Sequence, residues 1–176
     1  CGVQGCLDQP AQRAQLKQET MREMTAQNIL TTDQLKEFRN TGYLLVRGMY
    51  SAQEIGQISA WIDELAARGE ERGKTMKYFE TSRHDGSRIL CRIENFVPYH
   101  QGFRQLITSR RMHQAVCELL DEPAVLFKDK INFKLPGAGG FEPHQDVQAG
   151  WSRYATLHIT ALVTVDRATI ANGCLE

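Results

Sequence analysis

An α+β domain is the fold class this sequence predicts, and three observations predict it. Apolar residues recur at helical spacing through much of the first two thirds, strand alternation fills the last third, and no repeat or low-complexity linker divides the chain. Regularly alternating strands and helices, the mark of a parallel βαβ sheet, are not the pattern. With 176 residues, 41% hydrophobic and 24% charged, the chain has the length and composition of one ordinary globular domain with a core.

Residues 1–30 are Gln-rich and weakly periodic, and are expected to be a polar N-terminal extension outside the domain. The domain proper is placed at 31–176. TTDQLKEFRNTG reads as a short helix, with Thr31 and Gln34 as a capping box and Gly42 as its stop. YLLVRG reads as a strand. SAQE at 51–54 is a second capping box; Ile55, Ile58, Ile62 and Leu65 follow at helical spacing, which predicts an amphipathic helix over 52–68. Residues 69–87, rich in charge and Gly, read as a loop, 87–96 as a strand and 103–120 as one helix broken by Asp121, Glu122 and Pro123. AVLFKDKINFKLP and TLHITALVTVD then read as strands.

Lys plus Arg equals Asp plus Glu, so the chain lacks the basic excess of a nucleic-acid binder. No apolar run approaches a membrane span and no signal segment is visible. The five cysteines are odd in number and form no C-x-x-C, which points to a reducing, cytoplasmic setting rather than a disulfide framework. Nothing bears on oligomeric state.

FKDKINFK alternates strictly. Phe127, Asp129, Ile131 and Phe133 point one way; Lys128, Lys130, Asn132 and Lys134 point the other. The basic face reads either as a solvated outer surface or as an anion-binding interior, and Asp129 sits oddly on the apolar side. Downstream, His144 and Asp146 lie two positions apart in a Gly-rich stretch. On an extended segment both project to one side, where an imidazole nitrogen and a carboxylate oxygen can meet one cation at about 2.0–2.2 Å. The same pair also suits a hydrogen-bonded polar loop. With a distant histidine it would make the facial triad of non-haem Fe(II) oxygenases.

FKDKINFKLPGAGGFEPHQDVQAGW, followed by HITALVTVDRATIANGCLE, resembles the phytanoyl-CoA dioxygenase family of Fe(II)/2-oxoglutarate oxygenases. The resemblance starts at LTTDQLKEFRNTGYLLVRG and reaches the last residue. Its strongest elements are the K-I-N-x-K-x-P strand, the P-H-Q-D turn and the N-G-C-L-E segment. Together with RIENFVPYH it is similar to the subgroup of 2-aminoethylphosphonate dioxygenases.

The resemblance implies a double-stranded β-helix, or jelly-roll barrel, with helices packed outside and incomplete at its C-terminus. It implies that His144 and Asp146 are the near pair of iron ligands and the catalytic centre. Asn132 would face the 2-oxoglutarate, with Lys130 or Thr160 nearby. Lys128, Arg92 and Asn95 are substrate candidates, and Trp151 either walls the site or packs at the barrel rim. The cofactors implied are Fe(II), 2-oxoglutarate and O₂, and the activity is hydroxylation; halogenating relatives lack the carboxylate that Asp146 supplies. The basic strand suggests a small anionic or zwitterionic substrate such as an aminophosphonate. The alternatives are an acyl-CoA hydroxylase or a non-catalytic jelly-roll binding protein. The family's third ligand, a histidine, and its 2-oxoglutarate arginine fall past Glu176. His158 is no substitute and is expected to pack or hydrogen-bond within its strand; His84, His100 and His113 read as ordinary loop or helix histidines. Residues 1–176 alone are therefore expected to be inactive and poorly folded, with an unpaired sheet edge.

Overall fold

A computed structural model describes residues 28–140 and 142–175. The N-terminal extension placed at 1–30 lies outside the described residues as far as position 27.

Both capping boxes form. Helix α1, Thr32–Thr41, starts where Thr31 Oγ1 accepts from the Gln34 N–H and Gln34 Oε1 accepts from the Thr31 N–H; it ends at Gly42 in the left-handed conformation. Helix α2, Ala52–Ala67, repeats the device with Ser51 and Glu54. The segment read as a strand between them, YLLVRG, has no ladder partner among the described residues and runs through a turn instead.

Residues 69–87 are not one loop. They contain strand β1, Met76–Thr81, which pairs antiparallel with β2, Arg88–Glu94. The charged sequence MKYFET hid it, because a strand at the edge of a sheet carries polar residues on its solvated face. The helix expected over 103–120 is two: α3, Gln101–Thr108, and α4, Arg110–Leu120. Ser109 makes the break, its hydroxyl donating to the Leu106 carbonyl and accepting from the Met112 N–H. FKDKINFK forms a ladder only at β3, Lys130–Asn132, which pairs antiparallel with β2. TLHITALVTVD has no ladder partner among the described residues; Val163 and Val165 nevertheless pack against the core. The result is a three-stranded antiparallel sheet, β1-β2-β3, with helices before and after the hairpin. None of the described helices is long and apolar enough to cross a membrane.

The core lies between α2, the inner face of β2 and the start of α3. Ile58 and Leu65 meet Ile93, Phe96, Val97 and Phe103, with Leu65 and Ile93 fully buried. Phe103 packs edge-on against both Trp61 and Phe96. Gly102 makes that approach possible, since a Cβ there would come within 2.5 Å of the Trp61 ring. His100 caps α3: its Nδ1 accepts from the Phe103 N–H, so Nε2 carries the proton that faces Glu64 at 3.4 Å.

Asp129 resolves the oddity of an acid on an apolar face. Its carboxylate is buried and accepts the backbone N–H groups of Asn95 at 2.5 Å, Phe96 at 3.3 Å and Val97 at 2.9 Å. Asn95 takes φ 58° and Phe96 the right-handed region, so successive N–H groups converge on one anion. Asp129→Ala would strand these donors in the interior. The expected loss in chemical unfolding is about 3–5 kcal/mol, with Asp129→Asn milder because one acceptor oxygen remains.

A second prediction concerns acid. The Arg111 guanidinium grips Glu54 with both terminal nitrogens and holds its carboxyl down at about 2. The folded pKa is depressed, so the contribution is complete above the ordinary carboxylate range and is lost as pH falls from about 4.5 toward 2. The pair is partly exposed, which keeps its size small. Unfolding curves of wild type and Glu54→Gln should therefore converge over that acid window.

Candidate active site

The Gly-rich stretch after β3 is pinned to the tip of the β1–β2 hairpin. The Arg83 N–H donates to the Gly137 carbonyl at 2.9 Å, and the Gly139 N–H donates to Glu80 Oε2 at 3.2 Å. Gly137 has φ 83°, and a Cβ there would run into the Ser82 hydroxyl, so both conformation and space require glycine. These anchors fix the chain just before the His-x-Asp motif.

His144 Nδ1 lies 2.7 Å from the Glu142 carbonyl. A carbonyl only accepts, so Nδ1 carries the proton and the neutral ring presents its lone pair at Nε2. That nitrogen is 3.6 Å from Asp146 Oδ1. Two cis donors each about 2.1 Å from one octahedral cation stand roughly 3 Å apart, so the pair would close by about half an ångström to hold an ion. The other carboxylate oxygen, Oδ2, accepts from the Thr160 hydroxyl at 3.1 Å and has Lys130 Nζ at 3.9 Å. Asp146 opens a 3-10 turn, Asp146–Ala149, rather than continuing an extended segment, and the pair converges all the same. Among the described residues no group of three His, Cys, Asp or Glu converges as a metal site. One imidazole nitrogen and one carboxylate oxygen are donor types that suit Fe(II), and would supply two of a facial triad's three.

Lys128, Lys130, Asn132 and Lys134 are all exposed, as on a solvated face, and the face also carries ion pairs. Cross-strand register sets Asn132 opposite Arg92 and Lys130 opposite Glu94. Arg92 Nε and Lys128 Nζ both approach Glu94 Oε1, at 3.0 and 2.9 Å, and the Tyr78 hydroxyl donates to Glu94 Oε2 at 3.3 Å. Lys128, Lys130, Arg92 and Asn132 thus share one sheet face, joined to Asp146 through Lys130. Neither Glu94 nor Tyr78 stood out in the sequence. The signal for Glu94 was present as the R-x-E alternation of RIENF, which puts Arg92 and Glu94 on the same side of a strand.

Asn95 makes structural contacts: its backbone N–H serves Asp129 and its amide nitrogen donates to the Lys74 carbonyl at 3.1 Å. Trp151 is a packing residue that also borders a cleft. Its ring packs edge-on against Phe127, and it lines a cleft of about 690 Å³ together with Lys128, Glu94, Asn95 and Tyr154. His144 and Asp146 do not line that cleft; Ala149, at the end of the turn Asp146 begins, does. His158 sits against Phe127 and donates from Nε2 to the Trp151 carbonyl at 3.1 Å, a packing role.

The geometry can be set beside known proteins. Residues 38–176 match the family model described as phytanoyl-CoA dioxygenase (PhyH). Over 146 residues, 83% of this chain and 56% of the relative, the chain is 43% identical to a 2-aminoethylphosphonate dioxygenase from an uncultured bacterium (HF130_AEPn_1). It is 38% identical to a methylphosphonate hydroxylase of Gimesia maris, over 83% of this chain and 55% of that protein. A probable alpha-ketoglutarate-dependent hypophosphite dioxygenase of Stutzerimonas stutzeri is 26% identical, over 81% of this chain and 50% of its own length. The chain spans about half the length of these curated relatives. No solved structure matches significantly. The His-x-Asp pair, the strand that precedes it and a match running to the final residue lead to one conclusion: the chain belongs to the phytanoyl-CoA dioxygenase family.

Proposed function

We propose that the protein is an Fe(II)- and 2-oxoglutarate-dependent dioxygenase that hydroxylates a small anionic or zwitterionic substrate, with an aminophosphonate as the leading candidate. The observation that carries this reading is the 3.6 Å approach of His144 Nε2 to Asp146 Oδ1, with the imidazole proton locked on the far nitrogen. Family membership supports the chemistry, and the relatives named for phosphonates and hypophosphite support the substrate class. In the same reading residues 31–176 belong to a single domain, and the antiparallel sheet is part of a jelly-roll barrel.

The chemistry such a centre supplies is oxidative decarboxylation of 2-oxoglutarate to succinate and CO₂, with the second oxygen atom of O₂ inserted into a substrate C–H bond. The protein's part is placement. His144 presents a lone pair because Glu142 holds its tautomer. Asp146 turns one oxygen toward His144, while Thr160 and Lys130 occupy the other and fix the carboxylate plane. Asn132 and Lys130, which share a strand face, would hydrogen-bond the carboxylates of 2-oxoglutarate. Lys128 and Arg92 supply positive charge for the substrate anion, and Trp151 shields the cleft from water.

In the intact protein, His144→Ala and Asp146→Ala should each abolish succinate formation. Near-normal turnover in either variant would remove the pair from the centre. Asn132→Ala should raise KM for 2-oxoglutarate about tenfold or more, the cost of one hydrogen bond to a charged group, with a smaller change in KM for the substrate. An unchanged KM for 2-oxoglutarate would take Asn132 out of the site.

A further inference from the structure

Glu94 is 4% exposed, the most deeply buried charged residue among those described. A carboxylate is kept in such a place only when cations and donors compensate its lost hydration. Glu94 has two cations, Arg92 and Lys128, and the Tyr78 hydroxyl.

A structural Arg–carboxylate pair usually meets fork to fork, two guanidinium nitrogens on two oxygens. Here Glu94 approaches Arg92 through the side nitrogen Nε, and the contact is too poorly directed for either buried atom to count as hydrogen-bonded. The guanidinium carbon also lies 4.6 Å from the centre of the Tyr78 ring. Arg92 thus has Glu94 beside its Nε and the Tyr78 ring across its plane. Exposure separates the charges. The Glu94 side chain is 6% exposed, but those of Arg92 and Lys128 are 32% and 38% exposed. The anion lies beneath and the cations lie above it, which leaves the cluster one positive charge in excess. Lys128 and Glu94 both line the cleft beside Trp151.

We infer that Glu94 is a positioning residue that holds Arg92 and Lys128 as a seat for the oxyanion headgroup of the substrate, a phosphonate. This rests on the proposed reading of an oxygenase for small anions, and adds which groups recognise the anion and what aligns them. The guanidinium fork suits a tetrahedral oxyanion because two N–H groups meet two oxygens at once. Lys130, opposite Glu94 in the ladder, points the same sheet face toward Asp146.

Calorimetric titration of the intact protein with 2-aminoethylphosphonate and with methylphosphonate tests the seat without turnover. Wild type should bind both. Glu94→Gln should weaken both by about tenfold or more, while KM for 2-oxoglutarate stays within about twofold. Glu94→Asp should recover part of the loss, and Tyr78→Phe, which removes only the hydroxyl contact, should produce a smaller one. The inference is overturned if neither phosphonate binds wild type, or if Glu94→Gln binds them as tightly or more tightly, since Glu94 would then only compete for the cations. Should Glu94→Gln fail to fold, unchanged affinity in both Glu94→Asp and Tyr78→Phe overturns it equally. His144→Ala should keep phosphonate binding. Phosphonate binding by wild type without succinate release would sink the oxygenase reading and leave the seat standing.

Discussion

The buried carboxylate of Asp129 is the constraint on which the arrangement of the sheet depends. Three backbone N–H groups at the end of β2 have no ladder or helix partner, and the interior offers no water to them. Asp129 supplies the acceptor from the residue just before β3. One side chain therefore ends β2, turns the chain toward α3 and sets where β3 begins. The register that follows is not free to slip, because a one-residue shift would send Lys130 and Asn132 into the core and Ile131 out of it.

That register sorts the chemistry by parity. Ile93 and Ile131 face α2 and close the core, and Arg92, Glu94, Lys130 and Asn132 face the other way. A sheet with one dry face and one charged face is ordinary. What distinguishes this charged face is its order: acid and base alternate from Arg92 through Glu94 to Lys130 and Asp146, and each charge has an opposite neighbour. Few degrees of freedom remain for the donors at its end.

How much of this was legible in the sequence follows from range. The capping boxes at Thr31 and Ser51 are local, three residues across, and they appeared as read. The His144–Asp146 pair is local too, and the two side chains converge although the backbone between them is a tight turn rather than a strand. The failures were matters of pairing at a distance, except for the local break at Ser109. YLLVRG and TLHITALVTVD have strand composition, but a strand exists only with a partner. β1 was missed because MKYFET looks polar until Arg88–Glu94 is laid beside it. Ser109 splits a helix that periodicity alone would continue. The Asp129 nest and the Glu94 cluster each join residues more than thirty positions apart, and no window of sequence holds both ends.

The hairpin's hold on the Gly-rich stretch has a consequence for how the donor pair is kept in place. Of the two tethers, one joins backbone to backbone, from Arg83 to Gly137, and the other brings the Gly139 amide to Glu80. The span left between the last tether and His144 is short, and the entropy lost on closing a loop grows with the length that remains free. Much of the ordering cost of the donor pair is thus met when the hairpin folds, before any ligand arrives. Ser82, buried beneath Gly137, sets how closely the Gly-rich stretch lies on the hairpin.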